Sequence, residues 1–250
     1  MYEVIEKLNL AYTDKRDKNN RYDLYLPDTE EPYPLLVFYF GGGLCAGKKE
    51  DLRRMGREFA ENGIAVAAPD YRLHPEVDYP VFIEDAAEST AFLYREYGNK
   101  VSKFIVGGYS AGGYLTMMLC FNKDYLASYG IDPDDLGGWV FLSGQPTAHF
   151  NVLSWQGIDP RRVIVDETAP LYHVHGTGAP ILIITSNNDM PNRYEQNMLL
   201  AGTLRHMNYQ SMVEVRVADG VPHDGFLRLS DSGHSHLYDL AHSLIEEISH

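Results

Sequence analysis

One short stretch of the chain places a serine between two glycines at a spacing used for nucleophilic catalysis. Gly108, Ser110 and Gly112 fit the pattern G-x-S-x-G, which follows an apolar segment and precedes a helical one. A sharp strand-to-helix turn has little room for side chains, and glycine adopts strained backbone at the least cost. Such a turn would lift the Ser110 hydroxyl above a sheet and leave the N–H of Ala111 to bind an oxyanion. The pattern predicts a serine nucleophile, with an ordinary glycine-rich turn as the alternative.

A serine nucleophile needs a base, and the base needs an orienting acid. Asp189 follows the predicted strand at 180–185, and His223 follows the predicted strand at 212–218. The order along the chain is then Ser, Asp, His, a known order for such triads. We expect Ser110 to attack an acyl carbon, His223 to move its proton, and Asp189 to orient the imidazole. The alternatives are that Asp189 caps the following helix and that His223 is a polar loop residue.

Three consecutive glycines end another predicted strand, at Gly41 to Gly43. Without side chains, this backbone can approach a substrate closely. The strand would neighbour the one that precedes Ser110. We therefore expect the N–H groups of Gly42 and Gly43 to join that of Ala111 in an oxyanion hole.

The same loop matches two nucleotide-binding patterns imperfectly. In a near P-loop, Lys49 stands where Ser or Thr should bind Mg²⁺. A loose dinucleotide fingerprint would use Asp70 at the end of the next strand. Both patterns leave Ser110, Asp189 and His223 without a role, so we expect no organic cofactor.

Two histidine pairs raise the question of a metal, His173-x-His175 and His234-x-His236, and Glu84-Asp85 raises that of a paired-carboxylate site. The histidine pairs have no Cys or Glu partners at a recognisable spacing, and H-E-x-x-H is absent from the sequence. Neighbouring residues of a helix diverge, so Glu84 and Asp85 do not form a carboxylate pair. We expect no metal.

Composition excludes some partners. The net charge of −14 over 250 residues disfavours binding to nucleic acid. No apolar run approaches the ~20 residues that span a bilayer, and the first seven residues are too charged for a secretory signal. Two cysteines cannot form a disulfide framework. We therefore expect a cytoplasmic protein without a membrane partner.

Strand patterns and helix patterns alternate along the chain. Eight strands are predicted at 4–10, 21–26, 35–40, 64–69, 103–107, 139–142, 180–185 and 212–218. Helices are predicted at 49–62, 81–97, after Ser110, at 193–207 and at 236–249. This alternation predicts one α/β domain over 1–250, with a mostly parallel sheet, helices on both faces and an antiparallel edge. Ligands of such sheets bind beyond the carboxyl ends of the strands.

Three motifs together resemble those of hormone-sensitive-lipase-like carboxylesterases, a branch of the α/β-hydrolase superfamily. They are Gly41-Gly42-Gly43, the Gly-Tyr-Ser-Ala-Gly-Gly turn, and Asp70-Tyr71-Arg72-Leu73-His74-Pro75-Glu76 followed by Tyr79-Pro80 and Glu84-Asp85-Ala86. The resemblance covers about 35–226. It implies an α/β-hydrolase fold, catalytic Ser110, Asp189 and His223, and the oxyanion donors proposed above.

The chain departs from that branch at three single positions and in its acid motif, because Asp189-Met190-Pro191 lacks the branch's usual downstream pattern. Phe40 replaces the histidine of H-G-G-G, His74 replaces an alanine, and Tyr109 stands where the branch usually has Asp or Glu. The branch also often carries a long N-terminal cap, for which this chain has little material. We expect little or no cap, with a small insertion at about 145–175 as a potential cover.

The predicted function is a serine carboxylic-ester hydrolase with an acyl-enzyme mechanism. Because a cap is missing, we expect small-molecule esters with short acyl chains as substrates. A carbohydrate acetyl or feruloyl esterase is the alternative within enzymes, and a non-catalytic small-molecule receptor is the alternative outside them. The resemblance also suggests a homodimer.

Overall fold

The residues of the predicted site follow the carboxyl ends of the sheet's strands. The structure is a computed structural model that describes residues 1–13 and 20–249. In this part of the chain, eight strands form one sheet in the order β1-β2-β4-β3-β5-β6-β7-β8. The strands are β1 Val4–Ala11, β2 Arg21–Pro27, β3 Leu35–Tyr39, β4 Ala65–Pro69, β5 Phe104–Tyr109, β6 Gly138–Leu142, β7 Ile181–Asn188 and β8 Val213–Pro222.

Strand β2 is antiparallel to both of its neighbours, and the strands from β4 to β8 are parallel to one another. The helices are α1 Arg53–Glu61, α2 Val81–Tyr97, α3 Ala111–Phe121, α4 Asp124–Ala127, α5 Phe150–Trp155, α6 Arg193–His206 and α7 His236–Ser249. Helix α2 packs on α3, and α1 packs on α7. The predicted α/β-hydrolase architecture, with its antiparallel edge, is confirmed.

The centre of the molecule is apolar on every side. All five residues of β3, of β4 and of β6 are buried. Helix α3 is buried at all of its positions, because its sequence is apolar or small around its whole circumference. The candidate nucleophile therefore precedes a helix that has no solvent-facing side.

Three elements differ from the sequence prediction. The predicted helix at 49–62 begins as a 3₁₀ turn, Lys49–Leu52, and continues as α1. Strands β7 and β8 extend beyond their predicted ends, because the side chains of Asn187 and Asn188 bond to Asp219 and to the backbone of Gly220. Their pairing continues through a register shift to Asn188 opposite Pro222.

The stretch from 145 to 175 contains helix α5 and a 3₁₀ turn, Pro170–His173, neither of which the periodicity predicted. Trp155 of α5 stacks on His74 at a ring distance of 3.8 Å. The hydroxyl of Tyr114 donates to the carbonyl of Thr168 at 2.7 Å. These contacts hold the stretch against the carboxyl ends of the strands.

Candidate active site

Ser110 occupies a strained turn whose geometry requires both flanking glycines. Its φ of 55° and ψ of −112° lie in a region that L-residues rarely adopt. A Cβ on Gly112 would lie 2.1 Å from the carbonyl oxygen of Tyr39, and one on Gly108 would lie 2.4 Å from the carbonyl carbon of Gly112. The Ser110 N–H donates to Leu142 at 2.9 Å, which ties the turn to β6. The spacing of the motif is thus a packing requirement.

The structure brings Ser110, His223 and Asp189 together in a series of hydrogen bonds. Nε2 of His223 lies 2.8 Å from the Ser110 hydroxyl oxygen. Nδ1 of His223 lies 2.6 Å from Oδ1 of Asp189. With the Nδ1 proton donated to Asp189, Nε2 is free to accept the serine proton. The arrangement can therefore withdraw a proton from the serine and hold it on an oriented imidazole.

The side chain of Asp189 is buried, yet it carries the charge that this arrangement needs. Burial raises the pKa of its carboxyl, but hydrogen bonds from His223 and Ser143 outweigh burial and hold the pKa below its usual value. The N–H of Met190 donates to Oδ1 of Asp189 at 2.6 Å. Asp189 is consequently ionised at neutral pH and can stabilise a protonated imidazole.

Ser143 is a residue of the site that the sequence reasoning did not identify. It follows β6, is fully buried and has a φ of 52°. Its hydroxyl donates to Oδ2 of Asp189 and lies 3.3 Å from Nδ1 of His223. Its own N–H donates to Ile184 at 2.7 Å. The available signal was its position at the carboxyl end of β6, between the strands that carry Ser110 and Asp189.

Tyr109 contacts the loop that carries His223, at a position where similar sequences usually have an acidic residue. Its hydroxyl donates to the backbone carbonyl of His223, and its ring centroid lies 5.2 Å from that of the imidazole. Burial raises the pKa of the Tyr109 hydroxyl, so the group remains protonated and remains a donor. The turn that carries Ser110 therefore also holds the loop that carries His223.

The glycine loop lies directly beside the serine. A Cβ on Gly41 would lie 3.0 Å from Cβ of Ser110. Gly42 and Gly43 have φ values of 118° and 64°, in the region that favours glycine. Among the described residues, neither of their N–H groups nor that of Ala111 has a protein acceptor. All three donors are available to a ligand.

Helix α5 positions this loop from the opposite side. Nδ2 of Asn151 donates to the carbonyl of Gly43 at 2.6 Å. The N–H of Asn151 in turn donates to Nδ1 of His149, which caps α5. Burial lowers the pKa of His149 to about 3, so its imidazole is neutral and able to accept. Phe40, in place of the motif histidine, stacks on Tyr71 at 4.4 Å beneath the loop.

The residues of the nucleotide-binding patterns have internal partners. Lys49 is buried, with Nζ 3.6 Å from Asp23 and 3.7 Å from Asp70. The backbone N–H of Lys49 donates to Asp70 at 2.8 Å. Burial raises the pKa of Asp70 to about 6. These residues join β2, β4 and the 3₁₀ turn, so structural contacts account for both of them.

Residues of the carboxylate pair and of the histidine pairs likewise have structural partners. Asp85 is buried and accepts from the Arg72 guanidinium at 2.8 and 2.6 Å. His173 bonds to the backbone of Glu167, and Nδ1 of His234 lies 3.4 Å from Glu58. In residues 1–13 and 20–249, no three His, Cys, Asp or Glu side chains converge as metal ligands would. None of the helices in these ranges has the length and apolar character of a membrane span.

A cleft of about 300 Å³ adjoins the site on the side of the Asp189 loop. Its lining residues are Gln145, Phe150, Pro160, Arg161, Arg162, Met190, Pro191, Asn192, Arg193 and Gln196. Met190 follows Asp189 directly, and the ring of Phe150 would lie 3.9 Å from a Cβ on Gly43. The cleft therefore lies between the glycine loop and the loop of the acid.

Two sequence models of protein families match the chain. The model of the prolyl oligopeptidase family matches residues 81–244, and the BD-FAE model matches residues 22–135. The chain is 35% identical over 100 residues to a probable isoprenylcysteine alpha-carbonyl methylesterase, ICME, of Oryza sativa subsp. japonica, covering 38% of this chain and 24% of that protein. It is 33% identical over 121 residues to the carboxylic ester hydrolase LipN of Mycobacterium tuberculosis, covering 46% and 32%.

The chain thus spans about a quarter to a third of the length of these curated relatives. A similar fold occurs in the tributyrin phosphonate-inhibited form of esterase B from Lactobacillus rhamnosis, with a TM-score of 0.78 and 20% identity. That alignment covers 98% of this chain and 86% of the other. The resemblance to α/β-hydrolases of the carboxylesterase type is confirmed. The chain belongs to the prolyl oligopeptidase family, a family of the α/β-hydrolase superfamily.

Proposed function

We propose that the protein is a serine esterase that hydrolyses small carboxylic esters through an acyl-enzyme. The observation that carries this proposal is the pair of hydrogen bonds in series, 2.8 Å from Ser110 to His223 and 2.6 Å from His223 to Asp189. The relatives named as ester hydrolases support the choice of ester over other acyl compounds.

In the first half-reaction, the Ser110 oxygen attacks the ester carbonyl carbon while Nε2 of His223 takes the hydroxyl proton. The carbonyl oxygen becomes an oxyanion, which the N–H groups of Ala111, Gly42 and Gly43 stabilise. Each such donor typically contributes ~10²–10³ in rate. Asp189 stabilises the imidazolium that forms. The carbon–oxygen bond to the alcohol then breaks, and the alcohol leaves with the proton from Nε2.

In the second half-reaction, water attacks the acyl carbon and gives a proton to Nε2 of His223. A second oxyanion forms in the same place. When it collapses, the acid leaves and Ser110 regains its proton from the imidazolium. This sequence uses no group outside the chain and its substrates.

We propose short acyl chains, because the adjoining cleft is small, about 300 Å³. The inhibited esterase B, whose inhibitor is a tributyrin phosphonate, is consistent with that size. Rates for p-nitrophenyl esters from acetate to decanoate test this part of the proposal. A preference for the long chains would contradict it.

A fluorophosphonate probe tests the nucleophile. We expect one covalent adduct on the wild-type protein by intact-mass measurement and none on Ser110→Ala. Absence of an adduct on the wild type would favour a non-catalytic binding protein. Because the family is named for a peptidase, peptide p-nitroanilides should be compared with the p-nitrophenyl esters as substrates. Faster hydrolysis of the amides than of the esters would reassign the reaction.

The cellular setting is a separate proposal. We propose a cytoplasmic location and a homodimer, and that residues 1–250 act as one domain. The two cysteines are free, one exposed at Cys45 and one buried at Cys120, as suits a reducing compartment. Cell fractionation tests the location, and the mass of the protein in dilute solution tests the dimer.

A further inference from the structure

The cleft beside the Asp189 loop has an unusual charge for this molecule. Three of its lining residues are arginines, and none is Asp or Glu. The chain as a whole has a net charge of −14. A concentration of positive charge in one small cleft of an acidic protein calls for a physical account.

The three arginines differ in whether a carboxylate already neutralises them. Arg161 is exposed and paired with Asp159, whose Oδ2 lies 2.6 Å from its Nη2. Arg162 adjoins it in the chain and is exposed. Within the described ranges its side chain makes no hydrogen bond or close ion pair, although its charge contributes to the lowered pKa of Asp159. One exposed guanidinium at the cleft is therefore free to bind a ligand.

Arg193 is the third, and it lies almost completely buried at 4% exposure. It donates to two neutral oxygens, the carbonyl of Ser143 at 2.8 Å and Oε1 of Gln145 at 3.3 Å. Burial lowers its pKa to about 10, so it keeps its charge at neutral pH. The nearby carboxylate of Asp189 is occupied by His223 and Ser143. Arg193 adds positive potential behind the cleft, which the charge of the Asp189 carboxylate partly offsets.

The rest of the lining is apolar or neutral, with Phe150, Met190, Pro160 and Pro191 among it. Such a surface suits a short carbon chain that ends in an anion. A carboxylate matches the planar guanidinium of an arginine through two parallel hydrogen bonds. Because Phe150 lies beside the glycine loop and Met190 follows Asp189, an ester attacked by Ser110 could extend a short chain into this cleft.

We propose that this cleft binds a carboxylate of the substrate, so that the preferred esters carry a negative charge on the acyl or the alcohol side, with Arg162 as the residue that recognises it. The proposal rests on the esterase function proposed above and specifies its substrate class. Arg193 contributes potential but also supports Ser143, so Arg162 is the residue to change.

The test uses two matched pairs of esters that differ only in the charge. On the acyl side they are mono-4-nitrophenyl adipate and its methyl ester. On the alcohol side they are 4-acetoxybenzoate and its methyl ester. Wild type, Arg162→Gln and the control Arg161→Gln are compared by kcat/KM at low and high salt.

We expect Arg162→Gln to lower kcat/KM about five- to tenfold for the anionic member of one pair and less than twofold for the neutral member. Arg161→Gln should change both by less than twofold, because its charge is already paired. The preference of the wild type for the anion should fall with added salt. The pair that responds identifies the side that carries the charge.

An equal loss for charged and neutral esters in Arg162→Gln, or an unchanged ratio, would overturn the proposal. If the wild type hydrolyses neither member of a pair and takes no fluorophosphonate label, the esterase function fails instead. The cleft is then tested by calorimetric titration with monomethyl adipate. Equal binding to wild type and Arg162→Gln, or no binding to either, would overturn the carboxylate site.

Discussion

The hydroxyl of Tyr109 donates to the backbone carbonyl of His223, so the residue before the serine holds the loop of the base. The two ends of the Ser110–His223 hydrogen bond are thereby fixed to each other by a second contact. This explains how a tyrosine can serve at a position where similar sequences carry an acid.

Tyr109→Phe removes only that hydroxyl. We expect kcat for p-nitrophenyl acetate to fall about three- to tenfold with little change in KM, because the imidazole is less well oriented. The free energy of unfolding should fall by about 1 kcal/mol, the usual value of one hydrogen bond. Tyr114→Phe is the matched control, since its hydroxyl bonds to the backbone of Thr168. Equal losses of kcat in both variants would contradict a role specific to Tyr109.

Ser143→Ala removes a donor from Oδ2 of Asp189. The pKa of Asp189 is held down by hydrogen bonds, so it should rise in the variant. We expect kcat to fall about tenfold and the acidic limb of the pH–rate profile to move to higher pH. Ser186→Ala is the control, because the Ser186 hydroxyl donates to the backbone of Val221. A lower kcat with an unmoved pH profile would reduce Ser143 to a packing role.

Asp189→Asn keeps the shape of the acid and removes its charge. We expect kcat to fall by about 10³–10⁴-fold, because the imidazole is no longer held in the tautomer that accepts the serine proton and the imidazolium loses the stabilising negative charge. The same charge contributes to stability. Since its folded-state pKa is depressed, that contribution is present above the unfolded pKa and is lost as pH falls through the folded pKa. Urea unfolding of both proteins should therefore converge at low pH; parallel curves would contradict this.

Asn151→Ala releases the glycine loop from α5. The lost bond, 2.6 Å from Nδ2 to the carbonyl of Gly43, should let the oxyanion donors move. We expect kcat to fall about tenfold for all acyl lengths. One well-placed oxyanion donor contributes ~10²–10³ in kcat, and the variant loosens the loop without removing a donor. Asn62→Ala is the control, because its amide also donates to a backbone carbonyl, that of Glu58, in α1. Retention of full kcat in Asn151→Ala would show that the loop holds itself.

Local pattern was sufficient for the main elements of this fold. The period of apolar residues predicted α2 at its observed bounds, and G-x-S-x-G predicted the turn at Ser110 because its glycines are a local steric need. Asp189 and His223 could be predicted because parallel strands bring their carboxyl ends to the same end of the sheet. The ends of β7 and β8 were not, since a register shift and asparagine side chains extend them.

The supporting residues lay beyond what periodicity can predict. Ser143 contacts a residue 46 positions away, Tyr109 one that is 114 away, and Asn151 one that is 108 away. Each is a small or polar residue whose partner is set by tertiary packing and, for two of them, is a backbone carbonyl. Helix α5 is short and lacks a clear apolar period, so its place over the glycine loop had no local signal.

The complete burial of α3 implies that the segments carrying Ser110 and His223 open at different rates. Amide protons of an interior helix exchange with solvent only when the whole molecule opens, whereas an edge strand can open by itself. Ser110 immediately precedes α3, and His223 follows β8, which is an edge strand of the sheet formed by the described residues. On heating, the segment that carries His223 should therefore open before the turn that carries Ser110. Enzymatic activity should be lost at a lower temperature than the cooperative loss of structure.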